Sequence, residues 1–182
     1  MKILLTTFFL LIYSNVIGQE YFVSSCRNNI KPIELYFQNI LENNNYIIYC
    51  SKVKLLLYIH FEDNYYEIIF EGSQDREKFM KGSNDVDYTL KAISLIDKDL
   101  MSNVFNKDKY AKGYSDASII DSTKGLITLD GLPTYFVYKE NINEAYAEYA
   151  LSIVIRPVPM DFNIYKFFTS RMINIDIGYD DW

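Results

Sequence analysis

From Tyr46 onward the apolar residues stop recurring at every third or fourth position and begin to recur at every second, and no other feature constrains the fold as strongly. Such alternation buries one side of an extended segment, so Tyr46 to Cys50, Val53 to Phe61 and Tyr65 to Glu71 are predicted as strands. A two-residue turn at Asp63-Asn64 would place Phe61 opposite Tyr66, Ile59 opposite Ile68 and Leu57 opposite Phe70, an entirely apolar face. A slip of one residue would destroy that match. The same register sets His60 opposite Glu67 and Glu62 opposite Tyr65. Together with Tyr58, these four form the candidate binding face.

The segment before the strands has a different period. Ile33, Tyr36, Phe37, Ile40 and Leu41 follow helical spacing, with Pro32 early and Asn43-Asn44-Asn45 at the end, which predicts a first helix with one buried face. Residues 72 to 85 read as a loop. Tyr88 to Ile96 fits a strand or the start of a helix, and Asp97 ahead of Leu100, Met101, Val104 and Phe105 predicts a short capped helix. Residues 106 to 125 are polar and punctuated by glycine, hence a long loop. Leu126 to Leu129 and Thr134 to Tyr138 flank Asp130-Gly131-Leu132-Pro133 as a second hairpin. Ala147, Tyr149, Leu151, Ile153 and Ile155 alternate as a strand, although Glu144 to Ala150 could begin helically. Asp161 is placed to cap a last helix carrying Ile164, Tyr165, Phe168 and Met172. The expected class is α+β, a mostly antiparallel sheet with an N-terminal and a C-terminal helix packed on it. Cystatin-like and NTF2-like folds share the order of helix then antiparallel strands, an analogy of topology that carries no function.

The N-terminus supplies an address. Lys2 precedes an apolar run from Ile3 to Tyr13 interrupted only by Thr6 and Thr7, and Val16-Ile17-Gly18 offers a small-residue cleavage site, the pattern of a secretory signal peptide over residues 1–18. The run is shorter than the roughly 20 residues needed to span a bilayer, so no membrane span is expected once it is removed. Residues 19–182 then form a single domain, secreted or periplasmic. Val23-Ser24-Ser25-Cys26 resembles the lipobox of bacterial lipoproteins, making a lipid anchor at Cys26 the lesser alternative. Its placement is poor, because Gln19, Glu20 and Tyr21 separate it from the apolar run. Cys26 and Cys50 are the two cysteines of the chain, and an oxidising compartment favours joining them.

Removing the leader takes away Lys2 and no acid, so the formal charge of −6 becomes more negative still. Nucleic acid is therefore not an expected partner, since phosphate binding needs clustered Lys and Arg. His60 is the only histidine, which rules out a zinc site built on several imidazoles. A Cys50/His60 dyad competes with the simpler reading of a disulfide cysteine and a surface cross-strand histidine. Gly113-Tyr114-Ser115-Asp116-Ala117 lacks the last glycine of a nucleophile elbow, and no phosphate-cradling loop occurs. The acid pairs Asp85/Asp87, Asp97/Asp99, Asp116/Asp121 and Asp180/Asp181 lack calcium-loop spacing. No catalytic residue, metal or cofactor is assigned. Tyrosine is abundant, and its flat amphipathic ring suits binding surfaces as well as cores. The expectation is an exported non-enzymatic binding protein whose partner is an unknown protein or glycan. The alternatives are a small hydrolase using Asp and Glu, recognisable by two acids converging in a cleft, and an inhibitor or immunity protein.

Overall fold

A computed structural model describes residues 24–73, 86–116, 134–151 and 159–172. The leader, the strand Leu126 to Leu129 and turn Asp130 to Pro133 of the expected second hairpin, and positions 152–155 of the strand expected to reach Ile155 lie outside these residues.

The fold is α+β. A helix over 24–36 (α1) and one further turn at Gln38–Leu41 (α2) precede β1 (Tyr46–Cys50), β2 (Lys54–Phe61), β3 (Asn64–Ser73) and β4 (Asp87–Ile96). There follow α3 (Lys98–Val104), a 3-10 turn at Lys107–Lys109, β5 (Gly113–Asp116), β6 (Thr134–Asn141), β7 (Glu144–Leu151) and α4 (Phe162–Met172). The strands form one sheet in the order β4-β3-β2-β1-β6-β7-β5. The six strands from β4 to β7 are antiparallel neighbours, and β5 joins β7 in parallel. The sequence concealed β5 because its four residues fall inside a polar, glycine-bearing stretch that reads as loop.

Helices cover both faces of this sheet, and the alternation along each strand sorts residues between them. On one face Tyr46, Ile48, Cys50, Leu55, Leu57, Ile59, Ile68, Phe70, Tyr135 and Val137 pack under Cys26, Ile30 and Ile33 of α1. On the other, Ile47, Tyr49, Leu56, Tyr58, Phe136, Tyr138 and Tyr149 pack under α3 and α4. Central strand β1 is buried at all five positions. The first helix starts earlier than its spacing predicted, and Pro32 lies inside it. Its buried stripe runs Cys26, Ile30, Ile33, leaving Tyr36 off the stripe and 78% exposed. Asp97 caps α3 by accepting from Leu100 N at 2.8 Å, and Asp161 caps α4 by accepting from Asn163 N at 2.9 Å, both as expected.

The β2–β3 register differs from expectation by two residues. Glu62 and Asp63, not Asp63 and Asn64, form the turn, with φ of 48° and 61°. Two successive positive φ values match the type I′ hairpin, whose twist fits the flanking strands. Phe61 thus meets Asn64, Ile59 meets Tyr66, Leu57 meets Ile68 and Tyr58 meets Glu67. Because the slip is even, every side chain keeps its predicted face, so apolar patterning alone did not separate the two registers.

Tyrosine rings fill the core, and their hydroxyls fasten irregular backbone to it. Tyr110 donates to Val104 O at 2.5 Å, Tyr138 to Phe105 O at 2.8 Å, and Tyr149 to Ala111 O. Three buried rings thereby satisfy carbonyls at the end of α3 and in its connection to β5, groups that would be costly to bury unpaired.

Candidate functional site

The face expected to bind a partner is interior. Tyr58 is fully buried and Tyr65 and Glu67 are nearly so, with α4 over Tyr58 and Glu67 and the Phe105 ring against Tyr65. Glu67 accepts from Tyr58 Oη at 2.8 Å and from Arg171 Nη1 at 2.7 and 2.8 Å, so its carboxylate anchors the end of α4. His60 is half-buried and stacked on Tyr65 with ring centres 4.5 Å apart, and Glu62 is exposed at the turn. These five residues are neighbours along the hairpin, yet three of them are covered. The Cys50/His60 dyad is not assembled: Leu55 is the residue opposite Cys50, His60 lies five positions further along β2, and the two side chains belong to opposite faces.

A cleft of about 250 Å³ opens instead between α1 and the β6–β7 hairpin. Arg27, Lys31 and Glu34 occupy it from α1 because positions i, i+4 and i+7 share one helix face, while Tyr135, Val137 and Lys139 enter from alternate positions of β6. Glu148 of β7 and Asn143 of the turn complete the polar lining. Two acids therefore share one cleft, each held by a cation and a phenol. Arg27 grips Glu148 bidentately at 2.6 and 2.7 Å while Tyr135 Oη donates to the same carboxylate. Lys139 Nζ and Tyr46 Oη each donate to Glu34 Oε1 at 2.6 Å.

Electrostatics follow from this pairing. Burial alone would raise the Glu148 carboxyl, but the hydrogen bonds from Arg27 and Tyr135 outweigh it and hold the group below its ordinary value of 4.5. Burial and then the neighbouring carboxylates push the Tyr46 and Tyr135 phenols far up, so both remain protonated donors. A carboxyl depressed in the folded state contributes stability that is present above its unfolded value and lost as pH falls through its folded one. The difference in unfolding free energy between the wild type and Glu148→Gln is accordingly expected to be full above about pH 5 and to narrow below it. Urea titrations at a series of pH values check this, and a gap independent of pH would contradict it.

The chain matches no known family model, no characterised protein and no solved structure. Among the described residues, no group of three or more His, Cys, Asp and Glu is arranged to hold a metal ion, and no helix is long and apolar enough to cross a membrane. The cleft escaped sequence reasoning because Arg27 and Glu148 lie 121 positions apart, and Lys139 and Glu34 lie 105 apart. The available signal was the stripe Arg27, Lys31, Glu34 beside the apolar residues of α1.

Proposed function

We propose that the chain is an exported, non-enzymatic binding domain whose cleft between α1 and β6–β7 takes a small carboxylate-bearing molecule, about the size of one acidic sugar ring. The observation that carries this reading is the locking of Glu34 and Glu148, each by a cation and a tyrosine hydroxyl. Charges fixed in advance favour recognition over proton transfer, because a general acid must hold a proton near neutrality and Glu148 is biased against doing so. Arg27, Lys31 and Lys139 outnumber the two carboxylates and bias the cleft toward an anion. Of the three, Lys31 bonds Asn28 Oδ1 at 3.1 Å at an exposed position. Its ammonium is thus placed to swing onto a ligand. The leader over residues 1–18 supports export, and the burial of Cys26 within α1 favours a structural role for it over acylation.

Titration of a panel of small carboxylates, acidic monosaccharides included, followed by amide chemical shifts, is the test. Binding is expected to move resonances of α1, β6 and β7 and to be lost in Lys31→Met, which leaves both ion pairs of the cleft intact. A panel without a binder, or binding indifferent to Lys31, would overturn the assignment. A second reading, a small hydrolase, has its own support in the two acids lining one cleft, since glycoside hydrolysis asks for such a pair. Turnover of a glycan substrate abolished by Glu34→Gln would establish it in place of the first.

A further inference from the structure

We infer that the free edge of β4 is a self-complementary surface that pairs two copies of this chain about a two-fold axis at Ser94. β4 ends the sheet, and no described strand covers its outer edge. A strand in that position exposes a row of unpaired backbone donors and acceptors. It also exposes apolar side chains: Leu90 is 43% exposed, Ile93 56% and Leu95 67%. All three share the α1 face, since Leu90 lies opposite Phe70, Ile93 opposite Ile68 and Leu95 opposite Tyr66. Ala92, Ser94 and Ile96 share the other face, opposite Ile69, Glu67 and Tyr65.

The order of residues from Lys91 to Asp97 selects the partner. Read antiparallel to itself about Ser94, Leu95 meets Ile93 of the second copy and Ile96 meets its Ala92. Apolar residues then face apolar ones on the correct side of the pleat, while Lys91, displaced by the bulge, keeps its pairing with Glu71 on the opposite face. A two-fold at Ile93 would place Leu95 against Lys91, and one at Leu95 would place Ile93 against Asp97. An axis between two residues would oppose side chains from different faces. The bulge that displaces Lys91 between Leu90 and Ala92 closes the pairing at one end, and the start of α3 at Lys98 closes it at the other. The pair of Lys91 with Glu71 spans 2.8 Å on the solvent side, where both side chains are about half exposed. A pairing closed on its own axis gives a dimer and no further growth.

Sedimentation of the purified protein over a concentration series tests this at about 0.15 M salt, where repulsion between two acidic chains is screened beyond roughly 8 Å. The mass is expected to double with concentration and to remain monomeric throughout in Leu95→Lys, an exposed substitution that leaves the core untouched. Oxidised Ser94→Cys is expected to run as a covalent dimer on a non-reducing gel, whereas Thr89→Cys is not, which fixes the register. A monomer at every concentration overturns the inference, including one whose β4 amides resist hydrogen exchange because the chain's own residues cover the edge. A dimer that survives Leu95→Lys, species larger than a dimer, or failure of the Ser94→Cys cross-link each overturns it as well.

Discussion

Replacing Phe168 with alanine is expected to cost about 3 to 5 kcal/mol of unfolding free energy and to lower the melting temperature by roughly 10 °C. The ring is fully buried at the centre of the face covered by α4. It stacks on Tyr49 at 5.1 Å and meets Tyr58 at 5.7 Å and Phe136 at 5.4 Å edge-on, so it touches β1, β2 and β6 together. Truncation removes the transfer free energy of the ring and leaves a cavity, because large rings cannot slide inward without breaking hydroxyl bonds such as Tyr58 to Glu67. Phe167 beside it is only half-buried, and its alanine variant should lose less. Urea unfolding followed by near-ultraviolet circular dichroism gives both values. A loss under about 1 kcal/mol at Phe168 would mean that α4 is not a working part of the core.

Phe168 was also among the residues that the sequence revealed most clearly. It belongs to a helix marked by an acidic cap and by apolar positions at helical spacing, signals that are local and do not depend on the rest of the chain. The same holds for Asp97 with α3 and for the alternation of β1 to β3. Legibility fell where the deciding physics is not local. The positive φ values at Glu62 and Asp63, which set the hairpin register, conflict with no apolar pattern and leave no trace in one. The polar side of β2 and β3 looked like a surface because Tyr58, Tyr65 and Glu67 carry polar atoms, but the Tyr58 hydroxyl and the Glu67 carboxylate satisfy one another inside the protein, with Arg171 from a helix about a hundred residues away, and the Tyr65 ring is covered by Phe105. Tyrosine abundance misled in the same way: a ring that buries area and still supplies a donor serves a core that must also pin an irregular segment such as 104–111. The cleft is the extreme case, since each of its ion pairs joins α1 to a strand beyond residue 134 and exists only once the sheet has assembled.

Oxidation of Cys26 and Cys50 to a disulfide is expected to raise stability by about 3 kcal/mol and the melting temperature by roughly 10 °C over the reduced protein. The two thiols are free and buried in the structure, Cys26 on α1 and Cys50 on β1. A hydrogen bond with Cys26, followed by burial, pushes the Cys50 thiol well up, so it stays protonated in the native state and is a poor nucleophile. Bond formation is therefore expected during folding in an oxidising compartment, and slow reaction once the protein has folded in its reduced form. The bond would close a loop of about 25 residues and remove denatured-state entropy. It would also tie α1 to the sheet one residue from Arg27 and eight from Glu34, the two side chains that α1 commits to the ion pairs of the cleft. Reduction should then weaken ligand binding as well as stability, whereas Cys26→Ala with Cys50→Ala should reproduce the reduced protein in both respects. Melting curves and titrations with and without reductant, together with thiol labelling of protein recovered from outside the cytosol, decide the matter. Labelling without reductant, or a mass showing a chain that begins at an acylated Cys26, would remove the staple and with it this account of how α1 is held over the cleft.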